Sequence, residues 1–143
     1  QELVGSVIQK SKQRFAAAHF HIHMSPHLPL VYCDAILVVQ LLENLIENAV
    51  KYSPATSCVE IQVTQPLPDQ VRVCVRDQGP GIPDGEKMLI FDKFYRVGDE
   101  NVRKSKGTGL GLFIVKEVLQ NHDADISVKD NTPQGAIFEV TFN

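Results

Sequence analysis

The sequence predicts a two-layer α/β sandwich, with an antiparallel-rich sheet carrying helices on one face. Three observations point there: runs of strict apolar–polar alternation, runs with helical apolar spacing, and the absence of any repeat, low-complexity tract or interdomain linker between them. At 143 residues the chain has the length of one ordinary domain, so residues 1–143 are expected to form a single unit. Apolar residues make up 43%, enough for a packed core and too many for a disordered tail. Lys plus Arg number 14 against 17 Asp plus Glu, and the net charge of −3 excludes a generally basic nucleic-acid surface while allowing a local basic loop. No uninterrupted apolar run can span a bilayer and no signal-peptide pattern opens the chain, so a soluble domain without membrane contact is expected. Cys33, Cys58 and Cys74 are widely spaced with no CxxC pair, which favours small buried residues in a reduced interior over a disulfide framework or zinc site.

Taken in order, Leu3, Val4, Val7, Ile8 and Phe15 mark a helix over about 3–17. The period then changes to two. Phe20, Ile22 and Met24 alternate with His19, His21 and His23, a half-buried strand whose histidines form a polar sheet face or, less readily, a transition-metal row. Asp34 is placed to N-cap a long helix reaching about Tyr52, with Leu41, Leu42, Leu45, Ile46 and Ala49 inward, and Ser53-Pro54 stops it. Val59, Ile61 and Val63, then Val71, Val73 and Val75, define two strands joined by a Pro-rich turn. Asp77-Gln78-Gly79-Pro80-Gly81-Ile82-Pro83 is a loop, followed by a short helical piece around 86–90. Residues 97–106 lack apolar periodicity and read as a mobile loop. Leu110, Ile114, Val115, Val118 and Leu119 mark a further helix, and two strands near 124–130 and 136–142 finish the chain.

Three places carry chemistry. Asn44, Asn48 and Lys51, at i, i+4 and i+7, share one face of the long helix. Two carboxamides can offer oxygens to a hard cation and the lysine can reach phosphate; a solvated polar stripe is the plainer alternative. Counting by twos from Val71 puts Asp77 on the face the valines bury, where a carboxylate needs a specific donor such as an exocyclic amino group. A simple turn-forming aspartate is the alternative there. Gly79 and Gly81 would let the backbone turn sharply and approach a flat ring. Finally, Gly107-Thr108-Gly109-Leu110-Gly111 opens a helix whose free N–H groups attract phosphate, with Arg103, Lys104 and Lys106 just upstream. It is neither a Walker A loop nor a dinucleotide fingerprint.

In order, Asn44-Leu45-Ile46-Glu47-Asn48-Ala49, Asp77-Gln78-Gly79-Pro80-Gly81, Phe91-Asp92-Lys93-Phe94-Tyr95-Arg96 and Gly107-Thr108-Gly109-Leu110-Gly111-Leu112 resemble the N, G1, F and G2 boxes of the sensor histidine kinase catalytic domain. The resemblance runs from about Leu3 to Phe142. It implies the Bergerat ATP-binding sandwich shared with DNA gyrase, MutL and the heat-shock chaperone ATPases, with ATP and Mg2+ as ligands. Asn48 would then ligate magnesium, with Asn44 and Lys51 near the phosphates and Tyr52 beside the nucleotide. Asp77 would receive the adenine amino group, and Gly79, Gly81 and Ile82 would line the base pocket. Phe91, Phe94 and Tyr95 would anchor a lid, Arg96 and Lys106 would approach the phosphates, and Gly107, Thr108, Gly109, Leu110 and Gly111 would hold them. The chain departs from the family pattern at His122-Asp123-Ala124, where His-Gly-Gly is frequent, and at Gln134-Gly135-Ala136, where Gly-Gly-Thr is.

Hydrolytic relatives place a glutamate four residues before the metal-binding asparagine; here that position is Asn44. Phosphoryl transfer to a protein is therefore expected over hydrolysis, with a hydrolytic ATPase or a non-catalytic nucleotide-binding module as alternatives. None of His19, His21, His23, His27 and His122 lies in the helical setting of a phosphoacceptor histidine. The resemblance thus implies the catalytic half of a cytoplasmic kinase domain whose parent sits in the inner membrane. Its partners would be its own upstream dimerisation and phosphoacceptor domain, which would make the homodimer, and through the full-length kinase a response regulator.

Overall fold

The computed structural model describes residues 1–92 and 111–143. Among these residues three α-helices, α1 (Glu2–Arg14), α2 (Ala35–Tyr52) and α3 (Gly111–Gln120), accompany five strands, β1 (His19–Met24), β2 (Cys58–Thr64), β3 (Val71–Arg76), β4 (Ala124–Asp130) and β5 (Ala136–Phe142). The strands form one sheet in the order β1-β2-β3-β5-β4. β1 and β2 run parallel, and every other pair is antiparallel. A parallel pair needs a long crossover, and α2 supplies it. The expected two-layer sandwich is what the chain builds.

Alternation fixes the inner face. β2 buries Val59, Ile61 and Val63, β3 buries Val73 and Val75, and β5 buries Ala136, Phe138, Val140 and Phe142. Against them lie Leu41, Leu42, Leu45, Ile46 and Ala49 of α2, with Val115, Val118 and Leu119 of α3 and Val7 and Ile8 of α1 completing the core. Leu110 and the loop over 97–106 lie outside the described residues.

The outer face is polar. His19, His21 and His23 stand exposed on β1, and no group of three metal-ligating side chains gathers among the described residues. Of the free cysteines only Cys74 is buried; Cys33 and Cys58 are half-buried, so the interior expected for all three holds for one. Cys74 sits on this outer face, where Arg72 and Lys129 approach Glu139 at 3.6 Å and 3.4 Å beside it. Burial, followed by the Glu139 charge, pushes its thiol pKa up.

Two helix boundaries have visible causes. α1 ends three residues before the expected 17: the Phe15 N–H closes on the Ser11 carbonyl at 2.8 Å, and the Ala18 N–H turns back to Phe15 at 2.9 Å so that His19 can enter the sheet. α2 starts where Asp34 caps it, Oδ1 accepting the N–H groups of Ile36 at 3.0 Å and Leu37 at 3.1 Å. His122 ties the end of α3 to the start of α2: Nδ1–H donates to the Val118 carbonyl at 2.8 Å, and Nε2 accepts the Asp34 N–H at 2.9 Å. Asp34→Ala deletes the cap but keeps the histidine bond. It should cost about 1 kcal/mol and lower Tm by about 3 °C, measured by thermal unfolding.

Candidate functional site

α2 sets one wall of the site. Asn44, Asn48 and Lys51 are half-buried on it, and Tyr52 ends it with its side chain exposed. The first residue of α3 comes close to this wall: a Cβ on Gly111 would lie 3.4 Å from Asn44 Oδ1. Ser53 Oγ, at the same end of α2, is buried with no hydrogen-bond partner among the described residues.

Asp77 forms the floor. It is 4% exposed, as alternation from Val71 predicts. Both hydrogen bonds to its carboxylate fall on Oδ1, from the N–H groups of Gly79 at 3.0 Å and Ala136 at 3.2 Å. Oδ2 takes none among the described residues. Burial pushes the Asp77 carboxyl above the usual aspartate range, and the two backbone N–H bonds oppose that rise without cancelling it.

The glycines also permit close approaches within the protein itself. A Cβ on Gly79 would meet the Tyr52 carbonyl oxygen at 2.6 Å, so Gly79 lets the loop press against the end of α2. Gly81 has φ +78° and faces the Gly135 carbonyl, with a Cβ at 3.2 Å from it. The closest approach made by each is to the protein's own backbone.

Lys87, which sequence reasoning missed, fastens the same loop. Its Nζ donates to the Ile82 carbonyl at 3.0 Å, reaches Asp130 at 2.9 Å, and pairs with Asp84. The expected helical piece at 86–90 is instead two single 3₁₀ turns, Asp84–Glu86 and Leu89–Phe91. Between them Lys87 is drawn back to Ile82 and Asp130, while Ile90 and Phe91 are buried against the core next to α3. Ile82 is half-buried on the edge of that core. Asn131, Gln134 and Gly135, from the turn between β4 and β5, also touch the Asp77 segment, and none of the three is among the residues the sequence marks for the site.

The structure thus brings Tyr52 to Gly79 and Asn44 to Gly111, with Gly79 bonded to Asp77. Phe94, Tyr95, Arg96, Arg103, Lys104, Lys106, Gly107, Thr108, Gly109 and Leu110 lie outside the described residues. The two carboxylates of α2 next to the asparagines turn to α1: Glu43 lies 3.7 Å from Lys10 Nζ, and Glu47 lies 3.3 Å from Arg14. An open groove of about 500 Å³ on that side is lined by Lys10, Ser11, Gln13, Arg14, Phe15 and Glu43, and includes none of the candidate residues.

Residues 33–143 match the model of the histidine kinase-, DNA gyrase B-, and HSP90-like ATPase family. The signal transduction histidine-protein kinase/phosphatase MprB of Mycolicibacterium paratuberculosis is 35% identical over 134 residues, 94% of this chain and 25% of that protein. The chain therefore spans about a quarter of that relative's length. Among solved structures, a mycobacterial sensor histidine kinase MprB superposes with a TM-score of 0.85 at 28% identity, covering 99% of this chain and 91% of that one. Full-length ShkA in complex with AMPPNP gives a TM-score of 0.79 at 26% identity, covering 96% of this chain and 29% of that one. The chain belongs to the histidine kinase-, DNA gyrase B- and HSP90-like ATPase family, as a catalytic ATP-binding domain of the sensor histidine kinase type.

Proposed function

We propose that this domain, residues 1–143, binds Mg-ATP and presents its γ-phosphoryl group to a histidine on a separate dimerisation and phosphoacceptor domain of the same kinase. Asp77 receives the adenine amino group on Oδ2, the oxygen that neither Gly79 nor Ala136 uses. Gly79, Gly81 and Ile82 line the base, with Tyr52 beside the nucleotide. Asn48 and Asn44 offer the carboxamide oxygens that suit a hard cation, and Lys51 reaches the phosphates. The Gly111 end of α3 lies beside Asn44, so its N–H groups and Gly107, Thr108, Gly109 and Leu110 before it hold the polyphosphate. Phe94 helps anchor the lid, from which Arg96 and Lys106 add charge. When bound, magnesium supplies charge neutralisation across the phosphate oxygens. The protein's own share is orientation and electrostatic stabilisation as the phosphoryl group moves in line to the acceptor imidazole.

The pairing of Glu43 with Lys10 and of Glu47 with Arg14 carries the transfer reading. Asn44 cannot act as a base, and the carboxylates flanking it are directed to α1, so neither of these α2 carboxylates is set to activate water beside the phosphates. An acceptor from elsewhere fits these positions: His19, His21 and His23 lie on a strand, His27 lies in the loop that follows it, and both ring nitrogens of His122 are bonded. The domain works in the cytoplasm, where ATP and the response regulator are, on a parent protein held in the inner membrane. Its homodimer is made by the phosphoacceptor domain.

Mixing the chain with the adjoining upstream segment of its parent and labelled ATP should give acid-labile, base-stable phosphate on a histidine. Steady-state release of inorganic phosphate by the chain alone, abolished by Glu43→Gln, would establish hydrolysis in its place. Binding of ATP without transfer to that segment would make the domain a nucleotide-sensing module.

A further inference from the structure

The Asp77 segment leaves the sheet where its support on one side ends. The last β2–β3 pair is Glu60 with Arg76, so just past Arg76 the chain loses its β2 neighbour and keeps β5 and the turn before it on the other side. The Asp77 N–H donates to the Ala136 carbonyl at 3.0 Å. The two carbonyls that follow are held by side chains of the turn between β4 and β5. Asn131 Nδ2 donates to the Asp77 carbonyl at 2.8 Å, and Gln134 Nε2 donates to the Gln78 carbonyl at 2.9 Å. Asn131 is itself oriented, because its Oδ1 accepts the Thr132 N–H at 2.9 Å and its own N–H donates to the Gly135 carbonyl at 2.9 Å. Its amide can therefore present only Nδ2 to Asp77.

We propose that Asn131 and Gln134 are positioning residues that aim the Asp77 carboxylate, and so set how strongly the site prefers a purine bearing a 6-amino group. This rests on the assignment of Asp77 as the amino-group acceptor. Both side chains act through the backbone carbonyls that they hold. They fix two successive peptide units, and the direction of a short side chain such as Asp follows its backbone. Hydrogen bonding to an amino group is directional, weakening steeply as the angle closes, so a small rotation at 77 costs selectivity before it costs general binding.

The test compares ATP with purine riboside triphosphate, which carries hydrogen in place of the amino group, by calorimetric titration of the intact domain. Asp77→Asn comes first: it should collapse the affinity ratio between the two ligands, and an unchanged ratio would remove the Asp77 assignment and the proposal with it. Given that collapse, Asn131→Ala should weaken ATP by about 3- to 10-fold and the analogue by less than about 2-fold. Asn131→Asp keeps the acceptor for Thr132 and loses the donor to Asp77, so it should match or exceed the alanine effect; wild-type selectivity in it would assign the effect to packing. Gln134→Ala, at an exposed position, should shift the ratio the same way by a smaller factor, and keeps the test open if the Asn131 variants fail to fold. A parallel fall in both affinities, or none, would overturn the positioning role while leaving Asp77 as acceptor intact.

Discussion

Asp77→Asn is expected to cost about 10- to 100-fold in ATP affinity while leaving the domain at least as stable at neutral pH. The two effects separate because Oδ1 and Oδ2 do different things. Oδ1 accepts from Gly79 and Ala136, and an asparagine oxygen can accept the same two bonds. The other position changes from acceptor to donor, and a donor facing the adenine amino group repels it. GTP, which offers a carbonyl there, should keep its weak affinity; equal losses for ATP and GTP would sink the assignment. The stability side follows from burial. Because the folded-state pKa of Asp77 is raised, the group's contribution to stability is fully present below the ordinary aspartate value and is lost as pH rises through the raised one. Asparagine has no such titration, so the variant's advantage should be largest at neutral pH and vanish in acid, as denaturation at several pH values would show. Wild-type ATP binding should run the opposite way. The amino group needs the ionised carboxylate, so affinity should begin to fall on acidification above the pH at which an exposed aspartate protonates, and the Asn variant should lack that step.

What could be read in advance was whatever the chain encodes locally. Asp34 before a helical apolar pattern is a cap signal, and its bonds span only two and three residues. The period of two from Val71 carries through to Asp77, which is why its burial was legible two residues past the last valine. The supports of Asp77 were not legible, for a physical reason. Asn131 and Ala136 reach it across 54 and 59 residues, and a turn of Asn, Thr, Pro, Gln and Gly looks the same in sequence whether it faces solvent or a backbone. Lys87 was equally silent, a lone lysine in a Gly- and Pro-rich loop whose three partners only the fold assembles. Gly79 and Gly81 are needed where they stand for a further reason that their spacing does not show, the close approach of Tyr52 and of Gly135. Such contacts leave no period, because they depend on two distant segments arriving at one point.

Gly135→Ala should be the most destabilising of the single-methyl additions, by about 3 kcal/mol or more, which for a chain of this size lowers Tm by roughly 10 °C. Gly135 has φ +107°, a region L side chains rarely adopt. A Cβ there would also lie 2.0 Å from the Asp77 carbonyl oxygen and 2.7 Å from its carbon. Both are backbone atoms, so no side-chain rotation relieves the overlap, and either the turn lifts off or the Asp77 segment moves. Gly79→Ala should rank next, since its Cβ would lie 2.6 Å from the Tyr52 carbonyl without a positive φ to add strain. Gly5→Ala is the opposite case: nothing lies within 4 Å of a Cβ on this α1 residue. It should therefore gain about 0.5–1 kcal/mol from helix propensity alone. The order Gly5, Gly79, Gly135 in urea or thermal unfolding thus tests contact geometry against composition, because the chemical change is identical at all three. If Gly135→Ala unfolds with the wild type, the turn does not dock on Asp77 in solution, and the carbonyl bonds from Asn131 and Gln134 lose the close approach they depend on.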